Sequence, residues 1–200
     1  LMIRRPPRST LSPSSAASDV YKRQGAYRMT DHYKVSNLLV RSAIIAAGYA
    51  AVTILIAPIA YGPVQFRISD VLMPIPYVPY FGLAGVIGIT TGTLIANVIS
   101  PYGLWDIVLG TMANFLSGLG SMGARKIPNR GMGRIVAVII PVLVVTFLIG
   151  FVLLGLIFKV PMLLAIAGVF IGEAFTAGVG GYILITKLDS ILEESREAWI

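Results

Sequence analysis

Long apolar runs constrain this chain more than any other feature. Only 12% of its 200 residues are charged, about half the share found in water-soluble domains. A helix needs about 20 apolar residues to cross a bilayer. We therefore predict an all-α membrane protein, a bundle of six transmembrane helices formed by residues 40–60, 71–81, 82–100, 105–123, 134–158 and 161–186.

The second of these runs differs from the others. It is short, and Pro74, Pro76 and Pro79 interrupt it. Proline removes a helical hydrogen bond and clashes with the preceding turn. We expect a short, proline-broken second helix, which a bilayer tolerates only where protein or a cavity satisfies the freed backbone groups.

Basic residues flank the apolar runs and predict the orientation. With six crossings they all fall on one side, which the positive-inside rule makes cytoplasmic. Both termini are then cytoplasmic. A solvated basic face with interleaved aromatics is absent, so we expect no nucleic-acid partner. The basic residues concerned are Lys34, Arg41, Arg125, Lys126, Arg130, Arg134 and Lys187.

The two ends differ from the transmembrane domain, which we place at 34–188. Residues 1–24 are rich in Arg, Ser and Pro, and they resemble the translated read-through of a sequencing adapter. We expect residues 1–33 to be a disordered N-terminal segment without function. Residues 189–200 are predicted to form a cytoplasmic tail.

Catalytic chemistry has few residues to draw on. The chain has no cysteine and one histidine, which excludes disulfides, thiolate catalysis and cysteine-bound metals. No P-loop or HExxH motif occurs. We expect a protein that is not an enzyme and that holds no cofactor or metal of its own.

Eight side chains in or beside the apolar runs form the predicted substrate site. An ionisable group at the centre of a membrane helix costs at least ~2.5–3.5 kcal/mol and usually has a function. Aromatic rings offer stacking faces, and a carboxylate accepts adjacent N–H donors, so the combination suits a planar heterocycle. The candidates are Gln65, Arg67, Asp70, Asn97, Tyr102, Trp105, Asp106 and Glu173.

Several of these residues also have a structural interpretation. Arg67 and Asp70 are three apart and would pair on one helical face. Trp105 and Asp106 would suit an aromatic belt at a helix N-terminus. Glu173 must be protonated, paired across helices with Arg67 as the obvious partner, or reserved for a ligand.

Three alanines recur every four residues in the first run: Ala43, Ala47 and Ala51. Such a stripe lets another helix approach closely. It is typical either of packing within the bundle or of a docking face for a partner subunit.

Three sequence stretches carry a family resemblance. They are "APIAYGPVQFRISDVL" (57–72), "LIANVISPYGLWDIVLG" (94–110) and the glycine-rich sixth run with Glu173. Across 38–187 the chain resembles the QueT family, queuosine-precursor transporters of the energy-coupling-factor (ECF) type. The proline-rich "PIPYVPY" segment (74–80) departs from the family pattern.

The resemblance implies a six-helix substrate-binding subunit, or S component, in a prokaryotic plasma membrane. Its partners would be a transmembrane coupling subunit of the EcfT type, contacted by the alanine stripe, and two ATPases that bind the ATP. Its substrate would be 7-cyano- or 7-aminomethyl-7-deazaguanine, and which acid binds the guanine-like edge stays open.

Other interpretations also stay open. One is an S component for another vitamin, such as riboflavin or biotin, and another is a solitary secondary transporter. From different classes, an intramembrane enzyme would use Asp70, Asp106 and Glu173 as acid–base groups, and a structural or assembly protein would transport nothing.

Overall fold

The computed structural model describes residues 13–62 and 65–197, with side chains described over 34–62 and 65–193. Within these ranges the regular structure is entirely helical. The α-helices are α1 (Pro13–Leu55), α2 (Ala57–Ala60), α3 (Gly82–Asn97), α4 (Leu104–Ala124), α5 (Arg130–Val145), α6 (Met162–Glu173) and α7 (Gly181–Glu197).

Four helical stretches are long and apolar enough to cross a membrane. Two of them contain π-helical turns, because α5 continues through Thr146–Ile157 and α6 joins α7 through Ala174–Gly180. The all-α membrane class is therefore confirmed. The four stretches are Lys34–Leu55, Leu104–Ala124, Arg130–Ile157 and Met162–Glu193, and the shorter apolar helix is Gly82–Asn97.

The predicted second helix is not an α-helix. Residues 68–77 instead contain two short 3₁₀ helices, Ile68–Leu72 and Ile75–Tyr77. The prolines withdraw amide donors, so a continuous i→i−4 ladder cannot form. The chain uses shorter-range bonds, such as the one from the amide of Met73 to the carbonyl of Asp70 at 3.0 Å.

The predictions for the two termini can be compared with the structure only where it describes those residues. Helix α1 begins at Pro13, well before the expected start of regular structure at Lys34, because extending an existing helix gains one hydrogen bond per residue. Helix α7 likewise continues to Glu197 into the predicted tail. Residues 1–12 and 198–200 lie outside the described residues. The described residues before Leu38 and those from Leu38 onwards form separate compact units, and the contacts below belong to the second.

Close contact between α1 and α3 depends on two glycines. A Cβ atom added at Gly88 would lie 2.7 Å from Cβ of Ile45, and one at Gly92 would lie 2.8 Å from Cβ of Tyr49. Real Cβ atoms do not approach that closely, so these positions allow the two backbones to pack together. This packing holds Tyr49 fully buried in the bundle.

One end of the bundle collects basic residues. Arg41 donates to the carbonyl of Tyr80 at 2.8 Å, and its guanidinium lies 3.8 Å from the centre of the Tyr80 ring. Arg134 pairs with Asp189 at 3.0 Å. Tyr80, Asp189 and Arg125 are among the residues around a cavity of about 620 Å³ at this end, which we call the basic end.

Candidate functional site: a buried polar cluster

Five of the eight candidate residues meet in the interior, towards the end of the bundle opposite the basic end. They come from the 3₁₀ segment, the C-terminus of α3, the first turn of α4 and the end of α6. All are at most 5% exposed. We call this group the polar cluster: Arg67, Asp70, Asn97, Asp106 and Glu173.

Arg67 and Asp106 form an ion pair within the cluster. Nη2 of Arg67 lies 3.1 Å from Oδ2 of Asp106, and the hydroxyl of Ser100 donates to the same oxygen at 2.6 Å. Nε of Arg67 donates to the carbonyl of Ala60 at 3.3 Å, and the guanidinium lies 4.9 Å from the centre of the Tyr61 ring. Oδ1 of Asp106 is buried without a hydrogen-bond partner.

This pairing corrects both partners that the sequence suggested for Arg67. Arg67 precedes the first 3₁₀ helix in an extended conformation, with φ −103° and ψ 102°. It therefore does not share a helical face with Asp70, and the three-residue spacing gives no direct pair. Its ion-pair partner is neither Asp70 nor Glu173 but Asp106, which α4 presents from its first turn.

Asp70 and Glu173 form the second part of the cluster. The hydroxyl of Tyr49 donates to Oδ1 of Asp70. The 3₁₀ helix that carries Asp70 packs against the π-helical turns that directly follow Glu173, and a Cβ atom added at Gly180 would lie 2.9 Å from Cγ2 of Val71. Oε2 of Glu173 is buried and lacks a partner.

Asn97 ties α3 to α4 beside the ion pair. Its Nδ2 donates to the backbone carbonyl of Asp106 at 2.8 Å. The hydroxyl of Tyr61 donates to the carbonyl of Ala96 at 2.6 Å and reaches Oδ1 of Asn97 at 3.4 Å. Burial raises the pKa of Tyr61 to about 12, so this phenol stays protonated and acts as a donor at neutral pH.

Gln65 is buried close to the cluster in sequence, two residues before Arg67. Its side chain is 3% exposed and its Nε2 has no hydrogen-bond partner. Its φ of 43° lies in the left-handed region, which residues other than glycine rarely adopt. Strained backbone of this kind persists at functional sites because the surrounding structure maintains it.

The two aromatic candidates lie outside this group. Tyr102 reaches only its edge: the hydroxyl donates to the carbonyl of Tyr61 at 3.3 Å, and the ring packs edge-on against Phe158 at 4.9 Å. Trp105 is 56% exposed on the outer surface of α4. Successive helical residues point about 100° apart, so burying Asp106 turns its neighbour Trp105 outwards, and the structure does not bring Trp105 to the cluster.

Sequence reasoning missed three residues that complete the cluster: Tyr49, Tyr61 and Ser100. A signal for Tyr49 was available. It belongs to a stripe of hydroxyl-bearing residues on α1, with Ser42 seven residues before it and Thr53 four residues after it, and all three are buried. Such spacing places polar groups on one helical face.

The alanine stripe faces outwards. Ala43, Ala47 and Ala51 are all exposed, and a Cβ atom added at the neighbouring Gly48 would meet nothing within 4 Å. The stripe therefore does not pack inside the bundle, and its contact with a partner subunit stays a prediction.

These observations define a class: a multi-pass helical membrane protein with ionisable groups held inside its bundle. Charged residues in that position are expensive and mark pathways for solutes or ions.

Residues 39–190 match the sequence model of a family described as QueT transporter, and the chain belongs to that family. A curated relative, the queuosine precursor transporter QueT of Lactococcus lactis subsp. cremoris (strain MG1363), is 31% identical over 80 residues. That alignment covers 39% of this chain and 45% of the relative, so it spans less than half of the relative's length. No solved structure matches the chain. The family resemblance drawn from the motifs is thus confirmed.

Proposed function

We propose that this chain is the substrate-binding transmembrane subunit of an ECF-type importer for a queuosine precursor, 7-cyano- or 7-aminomethyl-7-deazaguanine. One observation carries the proposal: three buried polar atoms at or beside the polar cluster have no partner among the described residues. They are Nε2 of Gln65, Oδ1 of Asp106 and Oε2 of Glu173. An unsatisfied buried group costs about 1–3 kcal/mol, so a ligand that pairs with these atoms would be bound favourably.

The three atoms suit a guanine-like ligand. They comprise one N–H donor and two carboxyl oxygens, whereas the edge of a deazaguanine offers one carbonyl acceptor and adjacent N–H and NH₂ donors. Gln65 would donate to the carbonyl, and a carboxylate would accept from the N–H groups. The Lactococcus relative is named as a transporter of a queuosine precursor, which supports such a precursor as the ligand here. Tyr102 stays a candidate for a ring contact at the edge.

The described cluster is closed. Its five residues are at most 5% exposed, and two cavities of about 600 and 620 Å³ lie elsewhere, on an apolar face of α5 and α6 and at the basic end. Substrate entry would therefore need movement of the backbone beside Tyr61 and Ser100. The proposed sequence is capture from outside, closure over the ligand, and reorientation driven by partner ATPases.

A topology of six crossings, with both termini cytoplasmic, fits the contacts. Tyr61 contacts Asn97 near the polar cluster, whereas Tyr80 contacts Arg41 at the basic end. The described residues between them, 65–79, thus run from one end towards the other without an α-helix. We propose that they form the second crossing and that the basic end faces the cytoplasm of a prokaryotic cell.

The proposed partners are an EcfT-type coupling subunit and two ATPases that bind ATP. The exposed alanine stripe on α1 would contact the coupling subunit, because small side chains let a second helix approach its backbone. Ala43, Ala47 and Ala51 lie on that face.

Binding to the purified full chain tests the substrate. We expect both deazaguanines to bind measurably by isothermal titration calorimetry, and alanine at Asp70, Asp106 or Glu173 to weaken binding at least tenfold. Ser121→Ala is the matched control, since Ser121 is fully buried outside the cluster and donates to the carbonyl of Ala137. Unchanged affinity in all three acid variants, each monodisperse by size exclusion, would end the proposal.

Uptake in cells tests the ECF assignment separately. We expect uptake of radiolabelled precursor to stop in cells that lack every coupling-factor ATPase. Persistent uptake there would contradict the ECF mechanism while leaving the substrate assignment intact.

A further inference from the structure

The three buried acids, Asp70, Asp106 and Glu173, differ in the positive charge that lies beside them. The carboxylate of Asp106 faces the guanidinium of Arg67 at 3.1 Å and also accepts from Ser100. Asp70 and Glu173 form no ion pair within 4 Å among the described residues. The donor seen on this pair is the neutral hydroxyl of Tyr49, which binds Asp70.

Counting charges shows what the interior lacks. Arg67 offsets Asp106, whereas none of the described basic side chains pairs with Asp70 or Glu173 within 4 Å, so a negative charge on either acid has no counter-charge there. An uncompensated charge in a dry interior is strongly unfavourable. The charge has a directed acceptor, because Oε2 of Glu173 has no partner and the side chain is 1% exposed.

We propose that the Asp70–Glu173 pair is a subsite for a protonated primary amine on the ligand, so that the aminomethyl compound is preferred over the cyano compound. This inference rests on the proposed function and refines it. An ammonium group carries one positive charge and three N–H donors. It would satisfy Oε2 of Glu173 and leave donors for Asp70, and Tyr49 would keep its own bond to Asp70.

A nitrile makes the opposite match. It carries no charge and offers only an acceptor, which would oppose the acceptor oxygens of the pair. If Asp70 and Glu173 bind the amine, two unpartnered atoms remain for the guanine-like edge: Oδ1 of Asp106 and Nε2 of Gln65. Asp70 follows Arg67 by three residues, and Arg67 is the ion-pair partner of Asp106, so the two subsites adjoin each other.

Calorimetry with both ligands on the full chain in detergent tests the inference. We expect the wild-type protein to bind 7-aminomethyl-7-deazaguanine at least tenfold more tightly than the 7-cyano compound at neutral pH. The double variant Asp70→Asn/Glu173→Gln retains side-chain size and removes both acids, so no negative charge remains on the pair. It should weaken binding of the amine at least tenfold more than it weakens binding of the nitrile. Ser121→Ala should change neither.

The possible outcomes separate the two proposals. Equal affinity of the wild-type protein for both ligands, or tighter nitrile binding, would overturn the amine subsite while the proposed function stands. An equal loss for both ligands in the double variant Asp70→Asn/Glu173→Gln would do the same. If neither ligand binds the wild-type protein, the proposed function itself fails. The wild-type comparison needs no variant to fold, so it can overturn the amine subsite even if the variants are unstable.

Discussion

Removing one partner of the ion pair between Arg67 and Asp106 should destabilise this bundle strongly, because the other charge is then left buried without a counter-charge. Asp106→Asn keeps the shape of the side chain and removes its charge. The guanidinium of Arg67, 5% exposed, would then stay buried without its nearest counter-charge. Breaking a buried pair by removing one partner costs about 3–5 kcal/mol. At roughly 2–4 °C per kcal/mol for a domain of this size, the melting midpoint should fall by about 10 °C.

A double-mutant cycle isolates the pairwise energy from other effects of each substitution. Arg67→Met leaves a buried carboxylate and should destabilise by a similar amount. The double variant leaves neither charge unpaired, so its loss should be smaller than the sum of the two single losses by at least ~1 kcal/mol. Trp105→Ala is the adjacent control, because that ring is 56% exposed, and it should have little effect.

The assay is heat-induced loss of the monodisperse peak in detergent, with one heating rate for all variants. Additive losses in the cycle would refute the reasoning, since they would mean that the two side chains do not depend on each other. A large loss for Trp105→Ala would show that the outward assignment of that ring is wrong.

Three further predictions follow from the packing and the topology. With no native cysteine, Pro101→Cys should react with a membrane-impermeant maleimide in intact cells, and Lys126→Cys only after permeabilisation; the reverse pattern would invert the topology. Ala47→Trp should abolish co-purification with the coupling subunit while substrate binding is retained, and Val108→Trp, at a site 52% exposed on α4, should leave the complex intact; equal effects would exclude the stripe as the contact. Gly110→Ala would place a Cβ atom against the buried amide nitrogen of Asn97 and should lower the free energy of unfolding by about 1–3 kcal/mol. The same melting assay measures this loss. An unchanged midpoint would show that the Asn97 side chain can move aside without cost.

Hydropathy predicted most of the fold because it depends on composition over long windows. The runs at 105–123, 134–158 and 161–186 correspond closely to Leu104–Ala124, Arg130–Ile157 and Met162–Glu193. It did not predict the structure at 71–81 correctly, since an apolar segment with three prolines cannot form a continuous α-helix. Which non-helical path such a segment takes depends on its neighbours, here Gly85 against Pro76 and Gly181 against Pro74.

The sequence identified the charged site residues because a charge inside an apolar run is energetically unfavourable, but it did not predict correctly which of them pair. A charge in an apolar run is conspicuous, so Arg67, Asp70, Asp106 and Glu173 were identified without a structure. Their partners depend on how four segments meet, and sequence spacing does not report that. Trp105 shows the same limit, because the helical rotation that buries Asp106 was not known in advance.

The irregular path of residues 65–81 explains why the polar cluster forms where it does. In a continuous α-helix the backbone donors and acceptors bond within the helix, and successive side chains point in directions about 100° apart. An extended residue followed by a 3₁₀ turn instead allows Arg67 to reach α4 while Asp70, three residues later, reaches Tyr49 on α1. Non-helical backbone at membrane depth survives only where protein surrounds it or where it lines a cavity. This segment therefore must be buried, and it also supplies the charged groups that make the buried space selective. Substitutions that favour a continuous α-helix in residues 65–81 should weaken ligand binding more than they lower the free energy of unfolding.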